Sequence, residues 1–185
     1  MKTTVGREIF NNALAGARPY VNETLNKKKL SRLIEAIIET QGLEKVREVI
    51  DRLKLLGFEM ATRSGITWSI ADLVIPKEKA GIVARAETEV AVIHDQYNQG
   101  FLTESERRSR VIVVWERVKN EIAKLVQTTA LPQDNSIFQI IDSGSRGSWS
   151  QPIQMMGMKG LVSNAQGETI ELPIKASFKE GLGVL

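Results

Sequence analysis

The chain has 185 residues, a formal net charge of +3, 42% hydrophobic and 25% charged residues, the composition of an ordinary soluble globular protein of one domain or two small ones. It contains no cysteine, which excludes disulfides and thiolate metal sites. Its one histidine, His94, cannot build a histidine cluster and reads as a solvated side chain on a charged helix.

No apolar run approaches the roughly 20 residues needed to cross a bilayer, and the N-terminus lacks the apolar core of a secretory signal. A cytoplasmic protein with no membrane partner is expected. Residues 1–70 carry 12 basic and 8 acidic side chains, 71–130 carry 9 and 9, and 131–185 carry 4 and 5. Lys27-Lys28-Lys29 is the dense basic run; it reads as a solvated helix start or as a contact for a nucleic-acid backbone.

In chain order, Asn26 caps a helix whose Leu30, Leu33, Ile34, Ile37 and Ile38 share one face, and Gly42 stops it. A second helix carries Val46, Val49, Ile50 and Leu53, with Gly57 placed to end it in a left-handed cap. From Phe58 to Ile75 the pattern loosens into short extended structure around Gly65 and Trp68. The first region, 1–75, is thus a compact helical unit.

After Pro76, a favoured first-turn residue, Val83, Ala86, Val90, Ile93 and Tyr97 recur at spacings of three and four. Asn98-Gln99-Gly100 breaks the helix, and Thr103 with Glu106 forms a capping box for the next. Val111, Trp115, Val118, Ile122 and Leu125 repeat the rhythm. Two seams joined by a polar turn predict an antiparallel coiled-coil hairpin over 76–130. Its arms of roughly 22 residues would reach about 33 Å. Ile112, Val113 and Val114 widen the apolar surface, as if one side of the return helix rests on something else.

The last region, 131–185, begins at Pro132. Ile137 to Ile141 reads as a buried strand or the start of a helix. Leu161-Val162 and Thr169 to Leu172 read as a β-hairpin around a glycine-containing turn. Ser177 and Glu180 form another capping box, opening a helix near Phe178 that stops at Leu185 after about two turns, as in a truncated piece of a longer chain. The fold class is α+β, mostly α.

The stretch Asp142-Ser143-Gly144-Ser145-Arg146-Gly147-Ser148-Trp149-Ser150-Gln151, followed by Gly157-Met158-Lys159-Gly160, carries the chemistry. Glycines and serines around one arginine suit close approach to a phosphate, and equally suit an ordinary turn, with Arg146 paired to Asp142. There is no phosphate-loop lysine motif and no partnered acid and base, which leaves little for an autonomous nucleotide-binding enzyme. A stand-alone helical-hairpin adaptor is the alternative.

The order of these residues resembles the beta-prime subunit, the largest catalytic subunit of bacterial RNA polymerase. The likeness runs through Thr3-Thr4-Val5-Gly6-Arg7, Leu56-Gly57-Phe58, Ala61-Thr62 and Gly65-Ile66-Thr67, which look like the pore region. It continues through Asp72 to Pro76, the Asp142–Gly160 stretch, Glu171 to Lys175, and Phe178 to Leu182 before the bridge helix.

The resemblance implies that 76–130 is the secondary-channel rim hairpin, with Phe101, Arg107 and Arg108 docking transcription factors. It implies that Arg146 lies near the triphosphate of the incoming nucleotide. With Arg146, the residues Asp142, Gln151, Gln154, Met158 and Lys159 would bind substrate, and Gln151, Gln154, Gly157, Met158 and Lys159 would lie in the loop supporting the bridge helix and trigger loop. Met155, Met156 and Met158 would pack adaptably under moving elements or in a plain core. Thr62 and Gly65 would line the pore.

Implied partners are the beta and alpha subunits, the remainder of beta-prime, template DNA, RNA and channel-binding factors. Magnesium is implied for the complete enzyme and no cofactor for this segment. The family's triple-aspartate motif and trigger loop are missing, so the chain alone is expected to be inactive. Ser145 stands where alanine is usual, Pro152-Ile153 where an aliphatic-arginine pair is common, and Lys159 where arginine is frequent, losing a bidentate fork.

Overall fold

A computed structural model describes residues 1–183, with the side chains of 129 and 130 left aside. It is mostly helical and divides into two compact units, residues 1–67 with 139–146, and residues 68–138 with 147 onward.

In the first unit, α1 (Val5–Leu14) is capped by the Thr4 hydroxyl, and α2 (Lys27–Ser64) by the Asn26 side chain, which accepts from the Lys29 amide at 3.0 Å. Lys27, Lys28 and Lys29 are exposed on the first turn of α2, and Lys29 pairs with Glu23. The core is Leu14, Ala17, Leu33, Ile37, Val46 and Val49. The loop between the helices is fixed by Asn11, whose amide donates to the Val21 carbonyl at 2.9 Å and accepts from its N–H at 2.7 Å.

Gly42 breaks the helical path at φ 76°, ψ 172°, a conformation open essentially to glycine alone. Gly57, however, does not end the helix. The chain stays helical to Ser64 and is capped in the left-handed region by Gly65 at φ 58°. The cause is local. Phe58 to Arg63 follow Gly57 as acceptable helix formers, Glu59 pairs with Arg63 at 3.1 Å, and together these offset the roughly 1 kcal/mol that an interior glycine costs. The extended structure expected from Phe58 is therefore confined to the stretch after Gly65, broken by a 3₁₀ turn at Ile70–Asp72.

The second unit is built on α3 (Lys79–Asn98) and α4 (Glu104–Leu125). Thr103 and Glu106 make the expected reciprocal cap, at 3.3 and 2.8 Å. Arg85 meets Glu121, Glu89 meets Arg117, and Gln96 meets Arg110. The partner number falls as the other rises, which fixes an antiparallel register.

On α3 the buried apolar residues are Ile82, Ala86 and Ile93; Val83 and Val90 are half-buried and Tyr97 is 37% exposed. On α4 they are Val111, Val114, Trp115, Val118 and Ile122. α4 buries more because it is covered twice, by α3 and by the chain after Gly147. A π-helical turn (Val126–Ala130) extends α4, and α5 (Ser136–Asp142) resolves the strand-or-helix alternative as a helix. Its Ile137 joins the second unit, while its last turn falls in the first.

Short α6 (Ser150–Pro152) runs into a second π-helical turn, Ile153–Gly157, which lies on α4 and its extension. At Gly157 a Cβ would come within 2.9 Å of Ile122 and 3.3 Å of Val126. Met156 and Met158 are completely buried, so these two serve as core.

The expected β-hairpin is an antiparallel ribbon. Gly160 and Ile174 exchange both backbone bonds at 3.0 Å, Ser163 pairs with Thr169, and Asn164 organises the turn. The pairing stays in isolated bridges, partly because Pro173 has no N–H to donate. The Ser177–Glu180 box also forms, with Glu180 accepting from the Ser177 amide at 2.6 Å. No helix follows it through residue 183. The backbone closes one turn onto Gly181 at φ 87°; a single turn gives too few hydrogen bonds to offset its nucleation cost.

Replacing Gly157 by Ala should lower stability by about 1–3 kcal/mol through overpacking. Chemical denaturation followed by tryptophan fluorescence measures this, since all three tryptophans lie in the second unit. An unchanged midpoint would mean that this contact is loose.

Candidate functional site

The serines of the glycine-rich loop finish α5. Ser143 and Ser145 hydroxyls donate to the Ile140 carbonyl at 2.9 and 3.1 Å, and the Gly144 amide donates to Ile141 at 3.0 Å. The Ser143 carbonyl in turn accepts from the Lys27 amide at 2.8 Å. The loop is thus anchored on both sides, which fixes the backbone just ahead of Arg146.

Arg146 itself is exposed and has no hydrogen-bond or ion-pair partner among the described residues; the same holds for Asp142. The pairing of Arg146 with Asp142, expected on the turn-only reading, is not made. An anchored loop with a free guanidinium can accept a bidentate anion without first breaking an internal bond.

Gln151, Gln154, Met158 and Lys159 belong to the other unit. Gln151 is a local cap, its side-chain oxygen accepting from the Ser148 amide at 2.6 Å and hydroxyl at 3.0 Å. Lys159 donates to the Gln154 side chain at 2.8 Å and lies 5.3 Å over the Phe178 ring. The Phe178 and Lys179 amides donate to the Gln154 and Met155 carbonyls. Gln154 and Lys159 therefore come together as a pair that ties the π-helical turn to residues 176–180, with Met158 beneath them in the core. Thr62 spends its hydroxyl on the Phe58 carbonyl at 2.8 Å and, like Gly65, is exposed at the end of α2.

At the hairpin tip Phe101 is 74% exposed, as a contact surface requires, whereas Arg107 is only 7% exposed. Its guanidinium meets Glu104 at 2.6 Å and Glu171 at 3.1 Å, and lies 5.5 Å over Tyr97. Arg107 is thus committed inward; the accessible tip is Phe101 and Arg108, and Arg108 also donates to the Thr169 carbonyl at 2.9 Å. The hydrogen bonds that Arg107 donates to Glu104 and then to Glu171 raise its pKa, so it stays charged at any working pH. Glu104 is held below its usual range, chiefly by Arg107.

The sequence reading missed Lys79. It is 6% exposed at the start of α3 and pairs with Glu180, which also accepts from Ser177. Burial pushes the Glu180 carboxyl up, but the hydrogen bonds from Lys79 and Ser177 outweigh it and the net shift is downward. No local signal could have found this pair, whose members are 101 residues apart.

Among the described residues no three His, Asp or Glu side chains converge to hold a metal ion. The residues present do not fit a magnesium site, and no step through magnesium is assigned to this chain. Nor is any described helix long and apolar enough to cross a membrane.

Residues 1–73 match the family described as RNA polymerase Rpb1, domain 3, and residues 102–179 match RNA polymerase Rpb1, domain 4. The chain belongs to the RNA polymerase largest-subunit family. It is 42% identical over 185 residues to the DNA-directed RNA polymerase subunit beta' of Streptomyces avermitilis. It is 39% identical over 184 residues to that of Tropheryma whipplei, and 41% over 184 to that of Kineococcus radiotolerans. Each comparison covers 100% of this chain, which spans 14% of the length of each of these relatives.

Because the Glu180 pKa lies below the ordinary value of 4.5, its pairing stabilises the fold above that pH and is lost as pH falls through the lowered value. Lys79→Met should cost about 1–3 kcal/mol at pH 7 and flatten the stability profile between pH 5 and 3. Denaturation midpoints across that range measure both; an equally steep profile in the variant would assign the acid sensitivity to other groups.

Proposed function

We propose that this chain is a working part of a DNA-directed RNA polymerase, a nucleotidyltransferase. It acts in the cytoplasm with the beta and alpha subunits, the rest of beta-prime, template DNA and RNA. In this reading 1–75 is the pore region, 76–130 the secondary-channel rim, and 131–185 the loop leading to the bridge helix. The reaction is attack of an RNA 3′ hydroxyl on a nucleotide α-phosphate, with pyrophosphate leaving. In the complete enzyme magnesium would supply charge stabilisation for this chemistry; no step of it is assigned to the residues of this chain.

What this chain adds is positioning and charge. The observation that carries the reading is the unpaired, exposed Arg146 on a loop whose neighbouring serine hydroxyls are already satisfied within the fold. Such a cation offsets triphosphate charge as pyrophosphate departs and needs no rearrangement to do so. Thr62 and Gly65 face the RNA side of the channel wall. Phe101 and Arg108 form the docking tip for channel-binding factors, with Arg107 supporting them from inside.

In the complete enzyme, Arg146→Ala should reduce kcat/KM for nucleotides by about tenfold to a hundredfold, the range of a hydrogen bond to a charged group, with assembly intact. Arg146→Lys should recover only part. Unchanged rates at limiting nucleotide would sink the assignment. Phe101→Ala, read by titrating a channel-binding factor, should weaken its binding about tenfold or more, as loss of an exposed aromatic anchor does, and leave basal elongation in place. Equal losses in both would remove the tip from docking.

A further inference from the structure

The ribbon 160–174 follows α4 from tip to base. Near the tip, Glu171 takes both sides of the Arg107 guanidinium: Oε1 accepts a hydrogen bond at 3.1 Å, and Oε2 lies 3.1 Å from the other terminal nitrogen as a charge contact without hydrogen-bond alignment. Arg108 adds its bond to the Thr169 carbonyl. Midway, Lys175 bridges to Glu87 at 2.6 Å on α3 and lies 5.5 Å over Trp115 on α4. At the base, a Cβ on Gly160 would fall 2.9 Å from Lys119. The same Gly160 exchanges backbone bonds with Ile174, Lys159 donates to the Ala176 carbonyl at 3.1 Å, and Lys159 holds Gln154.

We propose that Arg107 is a positioning residue: by clamping Glu171 it seats the ribbon along α4 and thereby sets the placement of Gln154 and Lys159 at the ribbon's far end. This makes the hairpin tip and the segment 154–160 one mechanical body, so that a load at the tip is felt at the loop. Three properties single out Arg107. It is the most buried arginine of the hairpin, it joins two carboxylates from segments 67 residues apart, and its fork geometry fits both at once. Lysine could not hold both carboxylates in that way. The consequence for nucleotide use rests on the reading under Proposed function; the clamp itself does not.

The test uses the assembled polymerase carrying this segment. Arg107→Met keeps the stem and removes the charge; it should speed amide exchange at Ile170, Ile174 and Lys159 by about tenfold to a hundredfold and raise the nucleotide KM more than it lowers kcat. The double exchange Arg107→Glu with Glu171→Arg should restore both, because the pair is re-formed with opposite polarity. Unchanged exchange in Arg107→Met, or faster exchange with an unmoved KM, overturns the proposal, as does failure of the double exchange to rescue.

Arg146→Ala measured alongside separates the two readings. A KM raised by Arg107→Met but not by Arg146→Ala removes the phosphate role and keeps the clamp. The reverse removes the clamp alone.

Discussion

Helix α4 must bury two faces at once, and the second unit is arranged around that demand. Val111, Val114, Trp115, Val118 and Ile122 are all buried; α3 packs on this helix, while Trp115, Ile122 and the following Val126 also receive the chain that returns after Gly147. A two-helix hairpin covers only one stripe of each partner. The third layer is therefore a requirement of the α4 sequence, and the tightness at Gly157 and Gly160 shows how closely that layer approaches.

Charge is distributed to match. The pairs that are most enclosed, Arg107 with Glu171 and Lys79 with Glu180, both join the hairpin to the chain after residue 170. The pairs between α3 and α4 themselves are more exposed, and exposed pairs contribute little. The hairpin is aligned by its seam, whereas the returning chain is located by a few enclosed ions. Removing one member of such a pair strands the other, which costs more than the pair itself contributed.

Much of the helical framework was legible from spacing alone. The Thr103–Glu106 cap, the break at Gly100 and the α4 stripe are local patterns, and local patterns survive folding. Gly57 misled because a glycine mid-helix and a glycine at a helix end look alike until the residues beyond are weighed. Ile82 was passed over because the α3 seam was read as a two-helix stripe. Arg107 looked like a surface cation because its second carboxylate is 64 residues away. At the candidate site the order of residues around Arg146 was readable; that its serines would be consumed by α5 and leave the guanidinium unpaired was not.

The antiparallel register has a consequence for how this hairpin can change length. In each of the three cross-helix pairs, 85 with 121, 89 with 117 and 96 with 110, the two numbers add to the same total. An insertion in one arm shifts every pair beyond it unless the other arm gains the same number of residues opposite. Even matched insertions rotate the stripe unless they come in whole repeats. The ribbon imposes a further limit, because it spans α4 between fixed seats near Arg107 and Lys119. Growth or shortening is therefore tolerated chiefly at the Gln99–Leu102 turn, beyond the last seat.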